Sequence, residues 1–263
     1  MERGKETLER AMEAWKRGIR PSIPEALQVV MGMAGRIGKL NAQILAEGVK
    51  REPVLVERLL RMAHSAGFNP MGSPIYSLTQ AIAVVGFDAV RSQSRNLITM
   101  ERGKSGRIGT EIRKYAGLRN VVSSWVAQEL AFMSKAASPE VAYLATSLRG
   151  YGRLVLATIA PVEFHAALAL EAEKNESEAF MEVFGLKPWE VSRHLLQHGR
   201  LGSLLVRSLE DCPEEILGQE VTVPELRVLI LSFLAERTAF WMMRGDCEEE
   251  RFRREMEVLA PKA

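Results

Sequence analysis

Four histidines in this chain of 263 residues could bind a metal or transfer a proton near neutral pH. His194 and His198 lie four residues apart, a spacing that places both imidazoles on one helix face and could hold a metal ion. The sequence places no carboxylate or third histidine beside them. His64 lies in RMAHSAGF, a helix ending where a histidine with satisfied hydrogen bonds is commoner than a ligand. We therefore predict no metal site, no catalytic residue and no cofactor.

The segment SLTQAIAVVGFDAVRSQSRNLI is a second candidate for chemistry, since its pattern predicts a helix, a glycine turn and another helix. The second helix carries arginine, glutamine and asparagine side chains, which contact phosphates or base edges in protein–DNA complexes. Further basic residues follow it. The candidate phosphate or nucleic-acid contacts are Arg91, Arg95, Arg102, Lys104, Arg107, Arg113, Lys114 and Arg119. Two interpretations stay open: a surface that binds phosphate of any kind, and a solvated polar surface.

Helices must position these residues, because nearly every segment repeats apolar residues at three- and four-residue spacing. The segments are also rich in Leu, Ala, Met, Glu and Arg, which favour helix over strand. We predict an all-α fold, a two-lobed helical bundle. Pro24 and Gly86 mark helix boundaries, and Ser77 with Gln80 forms a capping box. The glycine-rich stretch 101–110 predicts a loop that divides the two lobes.

Charge is distributed unevenly along the chain. Residues 1–120 contain 20 Lys/Arg and 11 Asp/Glu, and the remainder contains 15 and 22. This asymmetry predicts two oppositely charged solvated surfaces or a basic surface for an acidic or nucleic-acid partner. No apolar run reaches the roughly 18 residues of a membrane span, and the charged N-terminus lacks the apolar middle of a secretory signal. With two distant cysteines, Cys212 and Cys247, we expect a cytoplasmic protein without membrane contact.

Three stretches of the sequence resemble a known family. They are the helix start at Pro24, the stretch PVLVERLLRMAHSAGF with Ala63, Ser65, Ala66 and Phe68 near its end, and SLTQAIAVVGFDAVR with Ile82, Gly86 and Val90. They resemble the HDOD family (HD-related output domain) of bacterial signalling domains, degenerate relatives of the HD and HD-GYP phosphohydrolases. A looser match continues through LATSLRGYGRLVL and VFGLKPWEVSRHLL, so the resemblance covers about residues 20–212.

The resemblance implies an all-helical regulatory domain. We expect an N-terminal helix over 1–19, an HDOD domain over 20–212 with lobes of about 20–104 and 105–212, and a C-terminal helical extension over 213–263. The implied role is non-catalytic signal transduction, as a monomer or homodimer. The expected partner is a signalling protein or an anionic ligand, such as a cyclic dinucleotide or another nucleotide. The alternative is a transcriptional regulator that binds nucleic acid through the basic N-terminal half.

The family comparison also concerns metal chemistry. HD-type hydrolases hold divalent metals with a histidine on an early helix, an adjacent His-Asp pair and further His or Asp residues. At the matching positions this chain has Asn120, Arg149 with Gly150, and Pro188. Arginine places a permanent positive charge where a cation would sit, and proline offers no donor atom. The resemblance therefore implies a protein that is not a metal-dependent hydrolase.

The same region is the predicted ligand site. Because basic side chains replace the ligands, we expect a groove between the lobes to bind an anionic ligand or an acidic partner segment. The expected contacts are Asn120, Arg149, Tyr151 and Arg153. Gly150 and Gly152 are expected to let two helices approach closely.

An apolar segment lies beyond the resemblance. The stretch ELRVLILSFLAERTAFWMMRG has more large apolar side chains than one face of a surface helix requires. It predicts either a core helix or a surface for an oligomer or partner, and we favour the core.

Overall fold

The computed structural model describes residues 2–34, 41–101, 107–171, 173–197, 201–212, 216–217, 221–244, 250 and 252–254. Within these ranges the regular structure is helical, which confirms the all-α prediction. Among the helices that the structure describes, none combines the length and the apolarity that crossing a bilayer requires.

Most of the helices in the described part of the chain are joined by short connections, and the connection between the fourth and fifth spans residues 64–77. Their bounds are α1 (Glu2–Lys16), α2 (Pro24–Ala34), α3 (Ala42–Val49), α4 (Pro53–Ala63), α5 (Leu78–Val85), α6 (Phe87–Glu101), α7 (Arg107–Ser134), α8 (Pro139–Arg149), α9 (Tyr151–Ile159), α10 (Pro161–Leu170), α11 (Glu176–Phe184), α12 (Pro188–Leu196), α13 (Ser203–Arg207) and α14 (Pro224–Met242).

Helices α2 to α6 form the first predicted lobe. Helix α2 packs on α3 and α6, and α5 packs on α3 and α4. The buried carboxylate of Glu52 starts α4, because its Oε1 accepts a hydrogen bond from Val54 N at 3.2 Å. Its Oε2 accepts from Ile23 N at 2.7 Å, just before α2. One side chain therefore caps a helix and fixes its position against another.

Helix α5 begins with a variant of the expected capping box. Ser77 Oγ accepts from Gln80 N at 2.9 Å, but Gln80 Oε1 accepts from Tyr76 N at 3.3 Å and not from Ser77. Glu140 on α8 satisfies a further amide, since its Oε1 accepts from Leu78 N at 2.8 Å. The start of α5 is therefore capped partly from the second predicted lobe.

The loop predicted over residues 101–110 is helical at both of its ends. Helix α6 continues to Glu101 and α7 already begins at Arg107, so the prediction is wrong for residue 101 and for residues 107–110. Residues 102–106 lie outside the described residues. A glycine in the first turn costs roughly 1 kcal/mol, and a helix as long as α7 offsets that cost through its packing.

Helix α7 is the centre of the second predicted lobe, where it packs against α8, α9, α10 and α14. The apolar C-terminal helix α14 lies against α7, α8 and α13, with Val228, Ala235 and Trp241 buried. The prediction that it belongs to the core is confirmed for these residues. The larger cluster of buried apolar side chains runs through helices of both predicted lobes.

The contact between α9 and α12 depends on Gly152. A Cβ atom at this position would lie 2.0 Å from Pro188 O and 2.9 Å from Ser192 N, both of them backbone atoms. Gly152 N also donates to Ser192 Oγ at 2.6 Å. The two helices can pack at this distance only because residue 152 lacks a side chain, which confirms the expected close approach.

We predict that Gly152→Ala lowers the free energy of unfolding by at least about 2 kcal/mol, because the helices must separate to admit the methyl group. Urea denaturation measures the change. Gly32→Ala is the matched control, since nothing lies within 4 Å of a Cβ placed there. On α2 that change should stabilise by roughly 0.5–1 kcal/mol. Equal stabilities for the two variants would contradict this account of the α9–α12 contact.

Candidate functional site

Arg149, the residue expected to replace a metal ligand, is buried and bonded to the protein itself. Its side chain is only 2% exposed. Its Nε donates to Glu236 Oε2 at 2.8 Å, and its Nη1 donates to the carbonyl oxygens of Ser208 at 2.7 Å and Glu210 at 2.6 Å. Because Glu236 belongs to α14, Arg149 attaches the C-terminal extension to α8.

Two further arginines continue this arrangement. Arg153 donates through Nε to Glu176 Oε1 at 2.7 Å, and its Nη2 lies 3.6 Å from Glu236 Oε1. Arg119 donates through Nη1 to both oxygens of Glu171, at 2.8 and 3.1 Å, and its Nη2 lies 3.5 Å from Glu176 Oε1. We call the six side chains the arginine–glutamate network; they are Arg119, Arg149, Arg153, Glu171, Glu176 and Glu236.

The charges of the network stabilise one another. Burial favours a higher pKa for Glu176, but Arg153 and Arg119 outweigh it and hold the pKa at about 2. For Glu171 burial prevails and raises the pKa, against the opposing effect of Arg119. Burial favours a lower pKa for Arg119, yet Glu176 and Glu171 raise it. Glu176 is therefore the ionised anchor to which two arginines bind.

Asn120 and Gly150 stand at positions where the resemblance implies metal ligands in hydrolases, and they lie against each other. Asn120 Nδ2 donates to Ser147 O at 2.9 Å. A Cβ atom at Gly150 would lie 2.5 Å from that same Nδ2, so the helices approach closely at Gly150 as well. With Arg149 and Pro188 also in contact with protein atoms, side chains and backbone occupy the positions where the resemblance implies metal ligands in hydrolases.

Tyr151 contacts a different set of residues. Its ring packs edge-to-face against Trp15, with the ring centroids 5.9 Å apart. Its hydroxyl is buried and makes no hydrogen bond to the described residues. The structure therefore brings Asn120, Arg149 and Arg153 together but places Tyr151 elsewhere. A ligand at either arginine would have to displace a glutamate, so binding through these four residues stays a prediction.

The candidate phosphate contacts on α6 are accessible. Arg95 is exposed, and Arg91 is half-buried and donates to Asp88 Oδ1 at 2.7 Å. The candidates on α7 differ in accessibility. Arg113 and Arg119 are only 8% and 1% exposed, whereas Lys114 lies on the surface. Two of the candidate phosphate contacts, Arg102 and Lys104, lie outside the described residues, as does the side chain of Arg107.

A surface cavity of about 610 Å³ lies between α4 and α6. We call it the arginine cavity; the described residues that line it are Arg58, Arg61, Met62, Gln93, Arg95, Asn96 and Thr99. Arg58 Nη1 donates to Gln93 Oε1 at 2.9 Å, which holds the two side chains against each other. Three guanidinium groups and no carboxylate appear among these residues, so the cavity favours anions.

A second cavity, of about 400 Å³, lies between the predicted lobes. We call it the Glu57 cavity; its lining is Met12, Trp15, Glu57, Arg61, His64, Ser65, Ala66, Leu148, His194, Leu195, Leu196 and Leu201. A groove between the lobes was expected, but its lining includes none of the four predicted contacts. Arg61 lines both cavities, so they are neighbours.

The carboxylate of Glu57 is buried, 1% exposed, and neither of its oxygens accepts a hydrogen bond from the described residues. Arg61 Nε lies 3.1 Å from Oε1 and forms an ion pair. Burial raises the pKa of Glu57, and Arg61, Arg20 and Arg58 oppose that rise. A buried carboxylate without hydrogen-bond donors is costly, and such a group needs an explanation.

The comparison with known families settles which family this chain represents. The HDOD domain family matches residues 21–212. The chain belongs to the HDOD family. No curated protein matches it.

Two solved structures share the fold of this HDOD protein. The response regulator MmoQ of Methylococcus capsulatus is 20% identical with a TM-score of 0.67, and the match covers 92% of this chain and 94% of that one. A virulence factor of Campylobacter jejuni is 15% identical with a TM-score of 0.62, and the match covers 98% and 89%. Both likenesses concern the fold.

The structure describes the surroundings of His64 and His194. His64 Nδ1 donates to Leu60 O at 2.8 Å, and its Nε2 accepts from Ile75 N at 3.1 Å, which confirms a satisfied buried histidine. His194 lines the Glu57 cavity, and His198 lies outside the described residues. Within the described ranges, no three His, Cys, Asp or Glu side chains stand close enough to hold a metal.

Sequence reasoning missed Glu57, Arg58 and Arg61. The apolar positions of α4 predict a buried helix but give no role to its charged residues. The sequence does indicate an ion pair here, because Glu57 and Arg61 stand four residues apart in a helix that is otherwise almost wholly apolar. The cation–π contact of Arg61 with Trp15 could not be predicted, since α1 and α4 are far apart along the chain.

We predict that Glu176→Gln lowers the free energy of unfolding at pH 7 by roughly 3–5 kcal/mol, because Arg153 and Arg119 lose a buried anionic partner. The pKa of Glu176 lies below its ordinary 4.5, so its stabilising effect is complete above about pH 4.5 and is lost as the pH falls towards 2. The difference between wild type and variant should therefore shrink over that range. Urea denaturation at several pH values measures it. The exposed Glu178→Gln on the same helix is the control, and equal losses for both variants would contradict the prediction.

Proposed function

We propose that this HDOD protein is a non-catalytic regulatory module that binds a phosphate-bearing ligand in the arginine cavity. The observation that carries the proposal is the convergence of Arg58, Arg61 and Arg95 on one concave space of about 610 Å³. Specific ligand sites are concave spaces of this size with a few convergent polar groups. Ligand binding would act by favouring one conformer over another, which a signalling protein partner would recognise.

The chemistry of the cavity suits phosphate. Guanidinium groups bind phosphate oxygens through two parallel hydrogen bonds, and their charge persists at all physiological pH values. The amide and hydroxyl groups of Gln93, Asn96 and Thr99 add uncharged donors. The hydrogen bond from Arg58 to Gln93 orders one guanidinium before a ligand arrives, which lowers the entropy lost on binding.

Two arguments support a non-catalytic role. Arg149, Gly150 and Pro188 stand where the resemblance implies metal ligands in hydrolases, and Arg149 already binds Glu236 and two carbonyl oxygens. Membership of the HDOD family implies regulation rather than turnover. MmoQ, which shares the fold, is named a response regulator.

Nucleic-acid binding is the second candidate, because the exposed Arg95 and half-buried Arg91 lie on one helix. A nucleic acid needs basic residues spread along a surface, whereas the arginines here converge in a cavity between α4 and α6. The small phosphate-bearing ligand is therefore the better match.

We predict that inorganic pyrophosphate binds to the purified protein and that Arg95→Gln weakens this binding about tenfold, the effect of losing one charge-assisted contact. Isothermal titration measures the affinities, which should fall as salt rises. Arg91→Gln is the control, because Arg91 lies on the same helix but outside the cavity. Absence of pyrophosphate binding, or equal effects of the two variants, would contradict the site. A gel shift with DNA or RNA that Arg91→Gln weakens as much as Arg95→Gln would favour the nucleic-acid alternative.

We also predict no phosphodiesterase activity above the buffer rate when the protein is incubated with bis-p-nitrophenyl phosphate and Mn²⁺ or Mg²⁺. The physical reason is the paired guanidinium of Arg149 at the position of a metal ligand. Release of p-nitrophenol is followed by absorbance. Turnover that requires the metal and stops on chelation would refute the non-catalytic role.

A further inference from the structure

One face of α7 is exposed to solvent and carries large apolar side chains. Leu118, Trp125, Phe132 and Met133 are exposed, from 43% for Trp125 to 77% for Met133, and the half-buried Val122 lies on the same face. Leu118, Trp125 and Phe132 form a row, because they are seven residues apart and seven residues make almost two helical turns. We call these five side chains the α7 stripe. A contiguous apolar patch on a surface marks an interaction site, whereas single exposed apolar residues need no explanation.

The chain itself covers α7 on both sides of the stripe. On one side Val126 and Leu130 pack against a buried cluster that includes residues of α14. On the other side Lys50 Nζ, at the end of α3, donates to Gln128 Oε1 at 3.1 Å. The helical periodicity places the stripe between these two contacts. Within the described ranges the stripe is therefore open to solvent, although the helix around it is packed.

Two exposed charges lie in line with the α7 stripe and give it a symmetric pattern. Lys114 precedes Leu118 by four residues, and Glu129 follows Trp125 by four residues. A two-fold axis between residues 121 and 122 would set two α7 helices antiparallel, with Leu118 of one copy opposite Trp125 of the other. The same axis sets Lys114 of each copy opposite Glu129 of the other, so the interface contains two ion pairs. A parallel pair of helices would instead place each charge opposite its own copy, which is repulsive.

The charges near the stripe fit a second copy of this chain and do not fit an anionic membrane. Lys114 Nζ lies 3.6 Å from Glu25 and 3.8 Å from Glu111, and such exposed pairs contribute little, so Lys114 can reach a further carboxylate. Glu111 and Glu129 are both acidic and exposed, whereas a membrane surface attracts lysine and arginine. An interface between identical copies requires a surface that is complementary to itself, and the stripe has this property.

We propose that this HDOD protein forms a homodimer in which the α7 stripes of two copies pack antiparallel. The apolar row from Leu118 to Phe132 is about 21 Å long. One helix pair of this length buries less than the roughly 800 Å² per partner of a standard interface, so we expect a dissociation constant on the order of micromolar. The inference goes beyond the proposed function and does not rest on it, because the stripe shares no residue with the arginine cavity.

Sedimentation equilibrium of the full-length protein, from about 1 to 100 μM, measures the association. The average mass should rise with concentration from that of a monomer to that of a dimer. Trp125→Lys should weaken the dimer at least about hundredfold, because it buries a charge within the apolar row, twice in the symmetric interface. Its urea transition should match that of the wild type, since Trp125 is exposed in the monomer. Met71→Lys is the matched control, because Met71 is apolar and exposed but lies outside α7.

A charge reversal tests the antiparallel arrangement. Glu129→Lys should weaken the dimer about tenfold, because each new lysine faces Lys114 of the other copy. Adding Lys114→Glu to the same chain should restore the affinity, since both ion pairs are then reversed. In a parallel dimer Glu129→Lys would exchange one repulsive pair for another and leave the affinity unchanged.

Three results would contradict the proposal. A monomer at every concentration would refute the dimer. A dimer that Trp125→Lys leaves intact would also refute it, since the contact would then lie elsewhere on the protein. A dimer that Glu129→Lys does not weaken, or that the double variant does not restore, would refute the antiparallel pairing.

Discussion

Mutual compensation of buried charge is the constraint on which the second half of this protein depends. Three arginines and three glutamates meet among α7, α8, α9, the end of α10, α11 and α14, and each arginine contacts at least one carboxylate. Removing one partner would leave a charge buried without a counter-ion, which costs far more than an exposed pair contributes. The network therefore joins α7, α8, α9, α11 and α14 through buried ion pairs. It also explains why Arg149 can occupy a core position.

Among the described residues, the arginine–glutamate network and Glu57 differ in how their buried carboxylates are satisfied. In the arginine–glutamate network, carboxylates accept directed hydrogen bonds from guanidinium groups, although Arg119 Nε and Arg153 Nη1 have no acceptor among the described residues. At Glu57 the arginines supply charge but no hydrogen bond. The first region therefore satisfies its carboxylates within the protein, and the second leaves a buried carboxylate without a hydrogen bond from the described residues. This difference directs the functional interpretation towards α4 and away from the positions of the metal ligands in HD hydrolases.

The HDOD fold of this chain packs closely around Gly150 and Gly152. Gly150 and Gly152 admit Asn120 and the backbone of Pro188 at distances that no side chain at either glycine would allow. Arg149 then reaches Glu236 on α14, a helix beyond the region that matches the family. Helix α14 is thereby joined to α8 through a buried ion pair.

The sequence by itself determined the helices, most of their ends and the family. Apolar periodicity, Pro24 and the Ser77 cap act over a few residues, so they can be interpreted without knowing the fold. It also predicted the satisfied His64 and the close approach at Gly152. The partners of Arg149 could not be predicted, because Glu236 lies 87 residues away along the chain. The burial of these side chains could not be predicted either, because the sequence around an arginine in a helix does not show whether it faces solvent, a glutamate or a cavity. Only the tertiary structure decided that Arg149 and Arg153 are paired inside the protein, because their carboxylate partners lie on other helices. It also decided that Arg61 and Glu57 line cavities, since the cavity walls come from several helices.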